Sequence, residues 1–131
     1  MREIKFRGLR TDGKGWVYGQ VHTYGDGTFI AQTGLMSNSG EDWRVTAIEV
    51  LPESVGQFIG LKNINGTDIY EGDAVVWKVN DIERTASVYF DEQASCFWMG
   101  RDKSIDQLVL NDWMRGEYQV IGNIHENPEL L

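Results

Sequence analysis

Hydrophobic and polar residues alternate with a period of two along most of this 131-residue chain. Trp16 and Tyr18, for example, would lie on one face of a strand and Val17 on the other. Successive side chains of a β-strand point to opposite faces of the sheet, so this pattern predicts half-buried strands. Similar strand patterns are present at Ile4 and Phe6, across residues 74–79, at Ala86, Val88 and Phe90, and across residues 118–124.

Glycine-containing turns separate the predicted strands. Asn65-Gly66 is the strongest hairpin signal, because both residue types tolerate positive φ, and it predicts a primed turn with Gly66 at positive φ. Residues 24–27 predict another hairpin loop, and residues 71–73 predict a turn before the strand at residues 74–79. Gly56 and Gly60 are expected to mark bulges or close backbone approaches.

Helical signals are few and short. Residues 52–54, which begin with proline, predict one helical turn. Ser104 and Gln107 form a capping-box pattern that predicts a short helix ending near Gly116. Leu108-Val-Leu110 fits a strand as well, so both interpretations of residues 104–115 stay open. Residues 36–42 are polar and predict a loop.

The order of these elements predicts a mainly β fold with at most one or two short helices. From residue 55 onward, the strands, hairpins and short connections suit a small SH3-like five-stranded barrel. Residues 1–54 would form a separate antiparallel β unit packed on that barrel, which occupies residues 55–131. The whole chain is short enough to behave as a single compact domain.

Four segments also resemble the YopX family, small proteins encoded mainly by phages and prophages of bacteria. They are residues 2–8 (REIKFRG), 15–19 (GWVYG), 55–73 (VGQFIGLKNINGTDIYEGD) and 120–131 (VIGNIHENPELL). The resemblance extends over the whole chain. It implies a phage or prophage accessory protein that acts in the cytoplasm of its bacterial host. It implies no enzymatic activity and no catalytic residues.

Net charge and cysteine content narrow the function classes. The formal charge of −8 has the wrong sign for simple nucleic-acid binding or for an anionic membrane surface. No apolar run approaches the ~18 residues of a membrane span, and no secretory signal is present at the N-terminus. Cys96 is the sole cysteine, which excludes an intramolecular disulfide and fits a reducing cytoplasm.

The first fourteen residues are basic, unlike the rest of the chain. One interpretation is that Glu3, Lys5 and Arg7 form the solvent-exposed face of an edge strand, since edge strands commonly carry charge. The alternative is a basic strip that pairs with an acidic surface on a neighbouring copy.

The sequence predicts no catalytic residues, no bound cofactor and no metal ligands. Residues 8–15 nearly match a phosphate-binding loop, but Gly15 replaces the required Ser or Thr and a strand pattern replaces the required helix. His22, Cys96 and His125 lack the spacing of a metal site. Cys96 also lies in an apolar run, which disfavours a reactive thiolate. Asp68, Glu71 and Asp73 form an acidic cluster, whose expected role is to accept backbone hydrogen bonds in the turn.

A non-catalytic, self-associating protein-interaction module is therefore the favoured hypothesis, with an unidentified phage or host protein as a further partner. The alternative is a nucleic-acid-associated module, either a weak binder through the barrel or an acidic DNA mimic. Leu130-Leu131 is expected to dock on a neighbouring copy or on its own chain. Most of the five tryptophans should lie in the core, with one or two on an interaction face: Trp16, Trp43, Trp77, Trp98 and Trp113.

Overall fold

The computed structural model describes residues 3–35, 43–79, 81–93, 95–100, 108–109 and 118–130. Within these ranges the strands form antiparallel sheets, and the helices are two 3-10 turns at Pro52–Ser54 and Pro128–Leu130. The mainly β prediction is confirmed, as is the helical turn that begins at Pro52. The chain divides into two compact units, Met1–Gln57 and Phe58–Leu131, whereas the sequence placed the boundary after residue 54.

Among its described residues, the N-terminal unit contains four strands and the beginning of a fifth. They are β1 (Phe6–Leu9), β2 (Trp16–Tyr24), β3 (Gly27–Leu35), β4 (Trp43–Glu49) and β5 (Gly56–Lys62). Strand β2 pairs with β1 through residues 16–19 and with β3 through residues 20–24, so it changes partner after Gly19. Gly56 and Gln57 of β5 pair with the other side of β1.

One face of the N-terminal sheet forms the core of this unit. Val17, Ile30 and Val50 are almost fully buried there, surrounded by partly buried Phe6, Val21, Ile48 and Val55. Full burial of one aliphatic side chain contributes about 1.5–3 kcal/mol, so these three residues provide a substantial hydrophobic contribution to the folding of the unit. The hairpin predicted at residues 24–27 is present, with Gly25 at φ +60 in a two-residue loop.

The C-terminal unit contains the rest of β5 and a five-stranded sheet in the order β10-β9-β8-β7-β11. Its strands are β6 (Asp68–Tyr70), β7 (Asp73–Val79), β8 (Ile82–Asp91), β9 (Cys96–Gly100), β10 (Leu108–Val109) and β11 (Gln119–Asn123). This architecture fits the expected SH3-like barrel, which stays a prediction.

The core of the C-terminal unit is aromatic and aliphatic. The Trp77 and Tyr118 rings lie 5.8 Å apart between their centroids and pack with Val75, Val88 and Met99. The predicted inward positions of Ala86 and Val88 are confirmed.

Phe90 continues the alternation of β8, but it is 42% exposed. It lies near the end of its strand and contacts Phe97 edge-on, with 5.2 Å between the ring centroids. The expected core position of Phe90 is therefore only partly realised, because alternation indicates a face of the sheet and not how far the core extends along it.

The hairpin between β5 and β6 differs from the predicted primed turn. Gly66 does have positive φ, +81, but Asn65 does not. The amide of Gly66 donates to the Asn63 carbonyl, and the Asn63 side-chain oxygen accepts hydrogen bonds from the amides of Asn65 and Thr67. The connection is thus a turn followed by a left-handed glycine, a common form of longer hairpin loop.

Two other local predictions have mixed outcomes. Gly60 has φ +92 within an irregular part of the β5–β6 register, which confirms the predicted bulge. Leu108–Val109 is a strand paired with Trp98 and Met99 of β9, so the helical interpretation is wrong at those two residues. The remainder of residues 104–115 and the predicted loop at residues 36–42 lie outside the described residues.

We expect Gly19→Ala to destabilise the N-terminal unit by about 2 kcal/mol, in the range of overpacked cores. A Cβ atom at Gly19 would lie 2.1 Å from the backbone carbonyl oxygen of Ala31, which cannot rotate away. Gly27→Ala is the matched control, because its Cβ would meet side-chain atoms of Phe29 and Glu49, which can move, and not the backbone. Urea denaturation of both variants measures the difference; equal losses would contradict the close backbone approach.

We expect Gly66→Val to lower the free energy of unfolding by more than ~1 kcal/mol, since a β-branched residue is strained at positive φ. A Cβ atom at Gly66 has no neighbour within 4 Å, so crowding contributes nothing. Gly66→Asn, a residue that tolerates this conformation, should lose less. Thermal unfolding distinguishes the two variants, and equal melting temperatures for Val and wild type would rule out the left-handed turn.

Candidate interaction surface

The acidic cluster of Asp68, Glu71 and Asp73 has a structural role. Asp73 is only 2% exposed, and its carboxylate accepts a hydrogen bond of 2.8 Å from the Tyr70 amide. Asp68 forms an ion pair with Lys62, with 2.7 Å between Oδ1 and Nζ. The predicted role of this cluster as a backbone acceptor is confirmed at Asp73. Within the described ranges, no group of three or more His, Cys, Asp or Glu residues has the geometry to hold a metal ion.

The histidines and the cysteine lie on different elements. His22 is exposed on β2 of the N-terminal unit. Cys96 is half-buried at the start of β9, and half-buried His125 follows β11, both in the C-terminal unit. The positions of these residues give no support to a shared site.

The near-match to a phosphate-binding loop forms the hairpin between β1 and β2. The Arg10 amide donates to the Gly15 carbonyl, and the Arg10 guanidinium binds Asp12 at 2.7 Å. The Arg10 side chain and the Lys14 amide hold the pKa of Asp12 below its usual range. Because that pKa is lowered, the contribution of Asp12 to stability is present above its ordinary pKa and is lost as the pH falls through the lowered value.

The basic N-terminal segment is not the solvent-exposed face of an edge strand. Strand β1 begins at Phe6 and has a partner on each side, so it is an interior strand. Arg7 is only 6% exposed, and its guanidinium lies 4.3 Å from the centre of the Trp16 ring. The edge-strand interpretation is therefore wrong. Lys5 forms an ion pair with Glu3, as Arg10 does with Asp12, which leaves less positive charge for a neighbouring copy.

The end of the described chain docks on its own unit. The Asn123 side-chain oxygen accepts hydrogen bonds from the His125 and Glu126 amides, and the Asn127 side-chain oxygen accepts one from the Asn123 amide. Leu130 approaches so closely that a Cβ at Gly122 would lie 3.0 Å from Leu130 Cδ1. Of the two expectations for the tail, intramolecular docking is the one observed at Leu130; Leu131 lies outside the described residues.

Alternate residues of β2 form an exposed surface, which we name the tyrosine face. Its members are Trp16, Tyr18, Gln20, His22 and Tyr24. They point away from Val17 and Val21, which pack in the core. Exposure increases along the strand, from half-buried Trp16 through Tyr18 at 47% to Tyr24 at 83%. Large aromatic side chains held in water are typical of interaction surfaces.

Neighbouring strands extend the tyrosine face. Phe29 lies opposite His22 and Ala31 opposite Gln20, whereas Arg7, opposite Tyr18, is buried beside Trp16. Glu49 lies at the margin, opposite Phe29 on β4. The Gln20 amide nitrogen donates to the Ile4 carbonyl at 2.7 Å, which fixes the segment before β1 beside the face. The β2 residues themselves carry no carboxylate, lysine or arginine.

The sequence already contained the signal for this face. Sequence reasoning recognised the shared face of Trp16 and Tyr18 but treated Tyr24 as part of a hairpin loop. The alternation continues through Gln20 and His22 to Tyr24, so following it to the end of the strand would have predicted the surface. Of the tryptophans considered for an interaction role, Trp77 is buried in the core, as expected for most of them.

Comparison with known proteins places the chain in a family. The family model described as "YopX protein" matches residues 5–131. The chain belongs to the YopX family. A solved structure, protein EF1440 from Enterococcus faecalis, is similar to this YopX protein with a TM-score of 0.61 and 25% sequence identity. That match covers 100% of this chain and 99% of the other. No curated protein matches the chain.

The family match includes both units of this YopX protein. It begins one residue before β1 and extends past the docked tail, so the tyrosine face lies within the matched region. None of the helices among the described residues is long and apolar enough to cross a membrane.

We expect Arg7→Lys to destabilise this YopX protein by about 1 kcal/mol, and Arg7→Ala by more. Lysine keeps the positive charge but loses the planar stacking of guanidinium on Trp16, an interaction worth up to about 2 kcal/mol when desolvated. Arg10→Lys is the matched control, since Arg10 pairs with Asp12 in an exposed loop. Urea denaturation followed by tryptophan fluorescence provides the measurement, and an Arg7→Lys variant as stable as wild type would show that stacking contributes little.

Proposed function

We propose that this YopX protein is a non-catalytic protein-interaction module that associates with copies of itself and serves as an accessory protein of a phage or prophage. Its expected location is the cytoplasm of the bacterial host, and an unidentified phage or host protein is a further partner. Family membership supports the accessory role, because the YopX resemblance implies phage and prophage genes.

The tyrosine face is the observation that carries the interaction proposal. It presents Tyr18 and Tyr24 to solvent on a regular strand, whose backbone is fixed by pairing with β1 and β3. Rigid aromatic side chains provide contact area at low conformational cost, which is why tyrosine is enriched at protein interfaces. A rigid scaffold and an aromatic surface together favour binding to a protein.

The uses of the polar residues support the absence of catalysis. Asp73 accepts a backbone hydrogen bond in its turn, Asp12 holds Arg10 and Lys14 in a hairpin, and Asn123 organises the tail. These three side chains are engaged in local structure. General acid–base or nucleophilic catalysis requires such groups to converge on a reacting atom, and these residues lie at separate turns.

Light scattering coupled to size-exclusion chromatography tests self-association. We expect the mean mass to rise above that of one 14.9 kDa chain at tens of micromolar. A chain that ends at Asn127 should associate equally well but unfold at a lower temperature, because Leu130 docks within its own unit. A strictly monomeric mass at all concentrations would remove the proposal, and loss of association on truncation would assign the interface to the tail.

A nucleic-acid-associated role is the second candidate, and the charge distribution favours its DNA-mimic form. The C-terminal unit contains six Lys and Arg against thirteen Asp and Glu, a formal charge of −7. Such a surface would compete with nucleic acid for a basic protein. An electrophoretic shift assay at low salt distinguishes a weak nucleic-acid binder from a DNA mimic. A shift that disappears as salt rises indicates direct phosphate contacts, whereas the absence of a shift excludes the direct binder and is compatible with the mimic.

A further inference from the structure

We infer that the tyrosine face of β2 is the surface through which two copies of this chain associate. The inference rests on the proposed self-association and assigns it to one face of one strand. The occupant is a second copy of the same face, related by a two-fold axis. In such an isologous contact both copies use the same patch, so every contact between two different residues occurs twice.

The distribution of charge between the units is the first argument. The N-terminal unit contains six Lys and Arg against seven Asp and Glu, a formal charge of −1, whereas the C-terminal unit carries −7. Contact between two C-terminal units would bring like charges together, which costs free energy. An interface formed by N-terminal units avoids most of this repulsion.

The hydrogen-bonding chemistry of the face is the second argument. The Tyr18 and Tyr24 hydroxyls and the Gln20 amide each contain groups that donate and groups that accept, and the His22 imidazole adds two ring nitrogens that can form hydrogen bonds. A surface made of such groups can pair with its own copy without leaving a buried donor or acceptor unmatched. An oppositely charged partner, in contrast, would find no fixed charge along β2, and nucleic acid would find no row of lysine or arginine.

The size of the face sets the expected strength. Nine residues at about 3.4 Å each give β2 a length of roughly 30 Å, and the three strands present at any point along it, about 4.8 Å apart, give a width of roughly 14 Å. The resulting area, on the order of 400 Å2 per copy, is below the ~800 Å2 typical of a stable complex. We therefore expect a reversible dimer with a dissociation constant in the micromolar range.

Lysine substitutions on the tyrosine face and on the opposite face of β2 test whether the tyrosine face forms the dimer interface. Tyr24→Lys and His22→Lys would each place two like charges in a symmetric contact, and we expect both to weaken dimerisation at least tenfold. Thr23→Lys is the matched control, because Thr23 is exposed on the same strand but points to the opposite face. Each added lysine reduces the negative net charge, so a general change in repulsion would strengthen association in all three variants.

Sedimentation velocity over a concentration series measures the dissociation constants, with the melting temperature as a check that each variant is folded. Raising the salt concentration should strengthen the wild-type dimer, because salt screens the repulsion between the acidic copies. A wild type that stays monomeric would remove both the proposed self-association and this inference. A wild-type dimer that tolerates Tyr24→Lys and His22→Lys as well as Thr23→Lys would overturn only the assignment to the tyrosine face.

Discussion

The close approach of two backbones at Gly19 is the constraint on which the N-terminal unit depends. Strand β2 leaves β1 and joins β3 at this residue, and the carbonyl of Ala31 occupies the space that a side chain would fill. Because only glycine fits, one continuous strand can serve two partners without a break in its alternation. The buried positions of Val17 and Val21 and the exposed positions of Tyr18 and Tyr24 all follow from that continuity.

Much of the fold could be predicted because it depends on residues that are close together in the sequence. Alternation identified the faces of β2 and β8, β-branched and aromatic residues indicated β7, and proline predicted the turn that begins at Pro52. The turn type at Gly66 could not be predicted, since it is decided by the Asn63 side chain accepting two backbone amides. The Asn65-Gly66 dipeptide therefore predicts where the hairpin lies, whereas hydrogen bonds from the backbone to the Asn63 side chain determine its turn type.

The burial of Arg7 was beyond sequence reasoning for a different reason. Strand β1 is interior because Gly56 and Gln57 pair with it from far along the chain, and no local pattern predicts such a pairing. The charged alternation of Glu3, Lys5 and Arg7 is typical of an edge strand. The long-range pairing with β5 nevertheless makes β1 an interior strand. For the candidate surface, in contrast, the whole signal lay within β2.

The spacing of the strand pairs along the chain also has consequences for the order of folding. Strands β1 to β3 each pair antiparallel with the next strand in sequence, whereas β11 pairs with β7 at Gln119 and Val76, more than forty residues apart. Closing a long loop costs chain entropy before its contacts form, and local contacts form faster. We therefore expect β2 and its neighbours to be organised while the C-terminal sheet is still incomplete, so that nascent copies present aromatic side chains early to one another and to chaperones.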